Sequence, residues 1–419
     1  MIYKTVLENG MRVVAERMSS VKSLSVGLWV NVGSRDEDPE EHGTSHFLEH
    51  MFFKGTATRS ALDIAREIDQ IGGELNAFTS RETTTFYAKV LDTHVQKAID
   101  LLSDNFHHSS FDPREIAKEK QVVIEEIKMV EDDPEDLVQE RYAGRVWNGN
   151  PLGRPILGTV ETISGLTRGK ILNFLKRTYD PKEIVISVAG RFDVPSMMAA
   201  LSTAFGRYTG DKIDRRPRRP PPRAVPVFEV EKRNLEQVHL CIGADGLSHN
   251  HPDRFVLLLM NTILGGSVSS RLFQEVRERR GLVYSIYSSI SSYEDGGLFT
   301  VYAGTGHENA PKVVDLILKE IRKMKRAGVS PLELENAKNH IKGSILLGME
   351  STSSRMSRIA KDELYFGRHI PLQTTLREID KVSGNQISRL TETLFGSRAL
   401  SLTALGKIDR NRLPKSLSV

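Results

Sequence analysis

Cysteine is almost missing from this 419-residue chain: Cys241, in the apolar run "VHLCIGA", is the only one. An intrachain disulfide is therefore impossible, and a zinc site built from four cysteines is excluded. The apolar run around Cys241 reads as a buried strand rather than the setting of a nucleophile. Long apolar stretches are also lacking. No run of about 18 apolar residues occurs, so no membrane span is expected. The start, "MIYKTVLENGMRVVAE", carries no signal-peptide pattern, which fits a cytoplasmic protein and equally an already processed organellar one. No phosphate-binding glycine fingerprint and no regular βαβ alternation appear. Charge is mixed, 27% of residues with a formal net of +4, and no basic stripe alternates with aromatics, so nucleic acid is not an expected partner. The one basic cluster is "RRPRRPPPR", residues 215–223, whose prolines read as an extended, solvated linker.

With 39% hydrophobic residues the chain is rich enough to bury sizeable cores, and its length suits two or three domains. The Pro/Arg-rich stretch 209–226 divides it near the middle, giving domains at 1–208 and 227–419. The two halves echo each other. "TFYAKVLDTHVQKAIDLL" (85–102) aligns without a gap on "TVYAGTGHENAPKVVDLI" (300–317), and "DPREIAKEKQVVIEEI" (112–127) on "SPLELENAKNHIKGSI" (330–345). Each pair reads strand, helix, then a helix opened by proline. Alternating strands such as "KSLSVGLWVNVGS" stand beside long amphipathic helices. The expected fold class is α+β: two homologous domains, each a mainly antiparallel sheet covered by helices.

The chemistry concentrates in "GTSHFLEHMFFKGT", residues 43–56. On a helix His50 lies about 40° from His46, and Glu49 about 60° to the other side, so all three share one face. Two histidines at i and i+4 can reach one Zn²⁺, and the glutamate between them can contact a water on that metal, where a general base belongs. By chance H-x-x-E-H would arise roughly 0.02 times in a chain of this composition. The competing reading is a helix with hydrogen-bonded core histidines.

A zinc ion that keeps a position for water needs a third protein ligand. The helix "EIAKEKQVVIEEIKMV", residues 115–130, supplies candidates. Its apolar stripe is Ile116, Val122, Val123, Ile127 and Val130. Taking Glu119 as origin, Glu126 falls at about −20°, inside that stripe, whereas Glu125 points about 120° away. Carboxylates facing a core are costly unless paired or metal-bound. No basic residue lies on the stripe. One glutamate would bind a metal and the other accept the second N–H of a histidine ligand. Alternatively both meet Arg or Lys from another element.

With these residues in place, the chain resembles the inverted zincin peptidases of the pitrilysin and insulin-degrading enzyme family. The resemblance is nearest to the mitochondrial processing peptidase β-subunit branch and its short bacterial homologues. It spans nearly the whole chain. In that family the glutamate completing the zinc site falls on Glu126, and the one seven residues earlier, which supports the site, on Glu119. The segment "GGELNAFTSRETTTFY" (72–87) resembles the family's substrate-pairing edge strand, which implies Asn76, Ala77 and Phe78 as substrate-binding residues by strand addition. In the second half, "LGGSVSSRLFQEVRERRGLVYS" (264–285) matches a signature whose arginine and tyrosine lean toward the substrate carbonyl across a cleft between the two domains. Here these are Arg277 and Tyr284, placed to stabilise an oxyanion. Taken alone, Arg277 would be a surface charge and Tyr284 an ordinary strand aromatic, with Gly281 ending the helix between them. At the zinc-glutamate positions the second half has Ala337 and Ser344, which implies a metal-free domain.

The resemblance implies a zinc metallo-endopeptidase with one Zn²⁺ per chain, held by His46, His50 and Glu126, with Glu49 as general base. It implies extended or unfolded peptides as substrates. The chain supplies one half of the family's chamber, so a homodimer, or a heterodimer with a similar chain, is expected. A bacterial, cytoplasmic setting is expected too. Two rivals stand beside this reading. A non-catalytic assembly subunit on the same fold would have lost a ligand or the Arg277/Tyr284 pair. A zinc hydrolase of small amides would not need the peptide-pairing strand.

Overall fold

The computed structural model describes every residue except 211–218, 397–399 and 415–416. Residues 215–218 of the basic cluster at 215–223 therefore lie outside the described residues. Two compact units form. The first contains a six-stranded sheet built from β1 (Ile2–Val6), β2 (Arg12–Arg17), β3 (Ser23–Val30), β4 (Glu74–Thr79), β5 (Thr84–Leu91) and β6 (Ile184–Gly190), in the order β1-β2-β6-β3-β5-β4. The second contains β7 (Phe228–Glu231), β8 (Val238–Asp245), β9 (Val283–Ser292), β10 (Gly297–Thr305) and β11 (Ser401–Leu405), in the order β7-β11-β8-β10-β9. Each sheet is antiparallel except at one joint, β2 with β6 and β7 with β11. With β1 set aside the two orders superimpose strand for strand, and β5 falls on β10. The α+β duplication read from 85–102 and 300–317 is thus a duplication of topology.

The units do not follow the two halves of the sequence. Unit 1 comprises Met1–Lys128, Arg154–Arg219 and Leu346–His369; unit 2 comprises Met129–Gly153, Pro220–Ile345 and Ile370–Val419. The exchanged segments cover the second faces of the sheets. On β3, Leu24, Val26, Leu28 and Val30 enter the main core of unit 1. On its opposite face Trp29 packs with Met356 and Ile359, from the helix Thr352–Phe366. A Cβ at Gly27 would come to 3.0 Å of Met356 Sδ, so glycine there lets that helix approach the sheet closely. In unit 2 the outer face of the sheet, with Cys241 and Tyr302, is covered by Leu137, Val138, Tyr142 and Trp147. Cys241 is wholly buried, and burial pushes its thiol up, as expected of a strand residue rather than a nucleophile.

The first half of the chain includes the helices α1 (Thr44–Met51), α2 (Ala61–Gln70), α3 (Val95–His108), α4 (Pro113–Asp132) and α5 (Pro134–Val146). Local sequence accounts for their ends. Ser60 and Asp63 form a capping box on α2, and Asp133 accepts the Glu135 and Asp136 N–H groups where Pro134 opens α5. The expected stripe on α4 needs correction. Ile116, Val123 and Ile127 are buried, but so is Ile124, while Val122 is 44% exposed. The buried face is rotated away from Val122, so Glu119 and Glu126 stand on its border rather than in its middle.

One expectation about the linker is also corrected. Arg219, in the middle of the basic cluster, is not solvated. Its guanidinium donates to both oxygens of buried Asp36 at 2.7 and 2.6 Å, and to the carbonyls of Asn31 and Glu82. Arg35 and Glu82 form a second buried ion pair beside it. Two cations and two anions balance there, which makes burial tolerable.

Candidate metal centre

α1 begins at Gly43, whose φ of +92° suits glycine, and a Cβ there would meet the Leu157 carbonyl oxygen at 2.6 Å. The helix N-terminus is capped from outside. The two carboxylate oxygens of buried Glu37 accept the N–H groups of Gly43 and Ser45 at 2.7 and 2.6 Å. Burial nevertheless pushes the Glu37 carboxyl up to about 8. Phe47, Leu48 and Met51 anchor α1 in the core. His46, Glu49 and His50 occupy its remaining, half-buried face. At the far end Phe52 stacks on Phe86 of β5 with ring centroids 3.9 Å apart.

The His46 and His50 rings lie 4.6 Å apart. Glu126 Oε2 of α4 is 3.8 Å from His46 Nε2 and 3.6 Å from His50 Nε2. Among the described residues these three side chains form the one group able to hold a metal, with ligand atoms all within 4.8 Å of one another. Zinc bonds of about 2.0–2.2 Å in tetrahedral geometry put donor atoms about 3.4 Å apart, close to what is found. Two further observations fit a metal. Among the described residues Glu126 Oε2 is buried without a hydrogen-bond partner. Burial and the neighbouring His50 push His46 down to about 4, so its ring is neutral and its nitrogen lone pair is available.

Glu119 acts from behind. Its Oε1 lies 2.9 Å from His50 Nδ1, so that nitrogen carries a proton and donates, leaving Nε2 turned toward Glu126. The alternative of a basic partner from another element holds for Glu119. Lys54 Nζ, from the turn after α1, is 2.7 Å from Glu119 Oε2. Burial works to raise Glu119, but the bonds from His50 and Lys54 outweigh it and hold the carboxyl below its usual range. Glu125 points away into solvent and pairs with Lys128.

Burial raises Glu49, against hydrogen bonds from the Thr79 hydroxyl and backbone N–H. Thr79 is the last residue of β4, the edge strand of its sheet. Ser80 N–H donates to the Thr83 carbonyl, so even-numbered residues of β4 bond inward to β5. Leu75, Ala77 and Thr79 therefore turn their backbone groups outward. Asn76 Oδ1 accepts the free Ala77 N–H at 2.8 Å. The side chain of Ala77 is buried toward the core that holds α1, whereas Phe78 lies on the opposite face against Trp29.

In unit 2, Arg277 lies on a π-helical turn, Phe273–Glu278, and Tyr284 is the second residue of β9. The turn gives way at Gly281, with φ +60°. The guanidinium sits over the Phe273 ring at 4.7 Å and the Tyr284 ring at 6.0 Å, and its nearest carboxylate is Glu278 at 4.0 Å. Phe273, Arg277 and Tyr284 line a cavity of about 570 Å³ with Val268, Gly265 and Ser288.

Sequence reasoning missed three contributors. Glu37 left no signal, since its partners are backbone groups. Thr79 lay inside a segment read only as a substrate strand. Lys54 had a weak one: on a helix continued past Met51 it would fall about 40° from His50.

Comparison with known proteins is consistent along the chain. Residues 12–160 match the family described as insulinase (peptidase family M16), and residues 165–341 the family described as peptidase M16 inactive domain. A zinc protease of Bacillus subtilis is 44% identical over 94% of this chain and 96% of its own. One from Mycobacterium leprae is 37% identical over 100% and 95%. In fold, the chain is similar to a protease from Helicobacter pylori, with a TM-score of 0.89, 21% identity, and coverage of 97% of this chain and 99% of the other.

Proposed function

From the premise that the chain belongs to peptidase family M16 and is a zinc metalloprotease, we propose that His46, His50 and Glu126 hold the zinc and that Glu49 is the general base. The observation that carries the assignment is the meeting of two histidine Nε2 atoms on a buried glutamate oxygen that has no hydrogen-bond partner. When bound, zinc supplies a Lewis acid that acidifies water and polarises a carbonyl. Glu49 takes one proton from the attacking water and hands it to the leaving amine as the C–N bond breaks, so one water is consumed per bond cleaved. Glu119 keeps the His50 ring in its ligating tautomer.

The substrate class is an extended or unfolded peptide. The outward backbone groups of Leu75, Ala77 and Thr79 offer a row for strand addition once a peptide displaces Asn76 Oδ1 from the Ala77 N–H, with Asn76, Ala77 and Phe78 as its contact residues. Because Thr79 also bonds to Glu49, a peptide paired along β4 is led to the base. Arg277 and Tyr284 stabilise negative charge developing on the carbonyl oxygen. Support for this is a guanidinium held on aromatic faces, its nearest carboxylate Glu278 only at 4.0 Å, next to a tyrosine that is 79% exposed. The working unit is a dimer, of this chain or with a similar one, in the cytoplasm of a bacterium. No helix among the described residues is long and apolar enough to cross a membrane.

Metal analysis and peptide digestion of wild type and Glu49→Gln test the proposal. Both proteins should carry one zinc per chain, and the variant should lose about 10²–10⁴-fold in kcat/KM, the usual contribution of a positioned base. Full activity in Glu49→Gln, or no zinc at one equivalent in the wild type, would refute it.

A further inference from the structure

Lys54 belongs to none of the roles above. It sits in the turn after α1, held by its N–H to the Met51 carbonyl at 3.1 Å, between Phe52, which stacks on Phe86, and Gly55, whose carbonyl accepts Ser110 N–H. The turn therefore has a fixed place. From it the ammonium reaches 2.7 Å to Glu119 Oε2, its one carboxylate among the described ion pairs. Glu119 is 4% exposed, and its two oxygens are divided between Lys54 and His50 Nδ1.

We propose that Lys54 is a positioning residue of the zinc site: by clamping one oxygen of Glu119 it fixes the other on His50 Nδ1, and so aims His50 Nε2 at Glu126. The inference rests on the ligand assignment above. The carboxylate torsion of a glutamate is soft. Without Lys54, among the described residues nothing opposite His50 fixes the Glu119 carboxylate, and a buried acceptor is left unpaired.

A second physical effect of Lys54 has the opposite sign, which makes the idea decidable. With neutral histidines, a zinc dication, Glu126, Glu119 and Lys54 sum to one positive charge; without Lys54 they sum to zero. If Lys54 acted only as a charge, removing it would tighten zinc binding. If it acts as a clamp, removing it loosens binding.

The experiment is zinc titration of the full-length chain against a competing chelator. Wild type is compared with Lys54→Met, which keeps the stem and removes the charge, and Lys54→Arg, which restores a donor. Partners one contact removed from a metal are worth about 10–100-fold in affinity. Lys54 stands one contact further out, so Lys54→Met should weaken zinc about 10-fold while Lys54→Arg stays within about 3-fold of wild type. In a Glu119→Ala background Lys54→Met should have no further effect. The Co²⁺-substituted absorption spectrum should shift in Lys54→Met and recover in Lys54→Arg. Zinc bound by Lys54→Met as tightly as by wild type, or more tightly, overturns the clamp. His50→Ala and Glu126→Gln serve as controls: if they too bind zinc like wild type, the ligand assignment itself has failed, and the clamp with it.

Discussion

Changing Glu126 and Glu125 to Gln, one at a time, separates a metal ligand from a solvated carboxylate one residue away. Glu125 is 65% exposed and pairs only with Lys128, at 2.7 Å. Exposed pairs of this kind contribute about 0–1 kcal/mol, so Glu125→Gln should leave stability within about 0.5 kcal/mol and zinc affinity unchanged. Glu126 Oε2 has no hydrogen bond to lose in the metal-free chain, so Glu126→Gln should also fold normally. Its effect appears only with zinc, where it removes the single anionic ligand of three. Structural zinc sites with four ligands bind with about 10–16 kcal/mol, or about 2.5–4 kcal/mol per ligand. At about 1.4 kcal/mol per decade, Glu126→Gln should weaken zinc about 10²–10³-fold. Chelator competition measures this directly, and thermal unfolding provides a second assay. At free zinc of about 100 Kd the wild type and Glu125→Gln gain about 2.7 kcal/mol and a higher Tm, and Glu126→Gln does not. Zinc affinity of Glu126→Gln within about threefold of wild type, or an equal loss in both variants, would refute the geometric assignment.

Two other perturbations probe different parts of the molecule. Arg277→Ala should lower kcat by about 10²–10³-fold, as loss of an oxyanion donor does, with zinc content unchanged; a kcat near that of wild type in steady-state peptide cleavage would return Arg277 to an ordinary surface charge. His42, buried beside Arg154 and Arg81, is pushed down to about 4 by burial first and those cations second. Its folded value lies below the unfolded value of about 6.5, so the stability it contributes is complete above pH 6.5 and drains as pH falls toward 4. Between pH 7 and 5 the loss amounts to about 2 kcal/mol. Urea unfolding of zinc-free wild type and His42→Asn should show a shallower pH dependence in the variant by that amount, and parallel curves would exclude His42 as the cause.

What could be read in advance divides along the range of the interactions involved. The shared face of His46, Glu49 and His50 follows from helical periodicity alone. So does the choice of Glu126 over Glu125, although the structure moved the buried face of α4 away from Val122. The echo of 85–102 in 300–317 predicted matched strands, and β5 and β10 do occupy equivalent places. Contacts between distant residues left no comparable trace. Lys54 and Glu119 are 65 positions apart, so neither shows the other in any local pattern. The linker composition suggested solvation, but Arg219 found two buried carboxylates that only the fold assembles.

The sequence by itself determined which groups come together: a histidine pair at helical spacing, a glutamate beside it, a second helix presenting one carboxylate rather than its neighbour, and two halves of one topology. These rest on periodicity, which each segment carries within itself. Only the tertiary structure decided how the site is held. It brought α4 against α1 so that Glu126 meets both rings, and set Lys54 against Glu119. It capped α1 with Glu37 and closed the back of each sheet with a helix taken from the other half of the chain. Each of those outcomes depends on burying apolar faces against partners remote in sequence, and burial of that kind is a property of the packed molecule rather than of any segment in it.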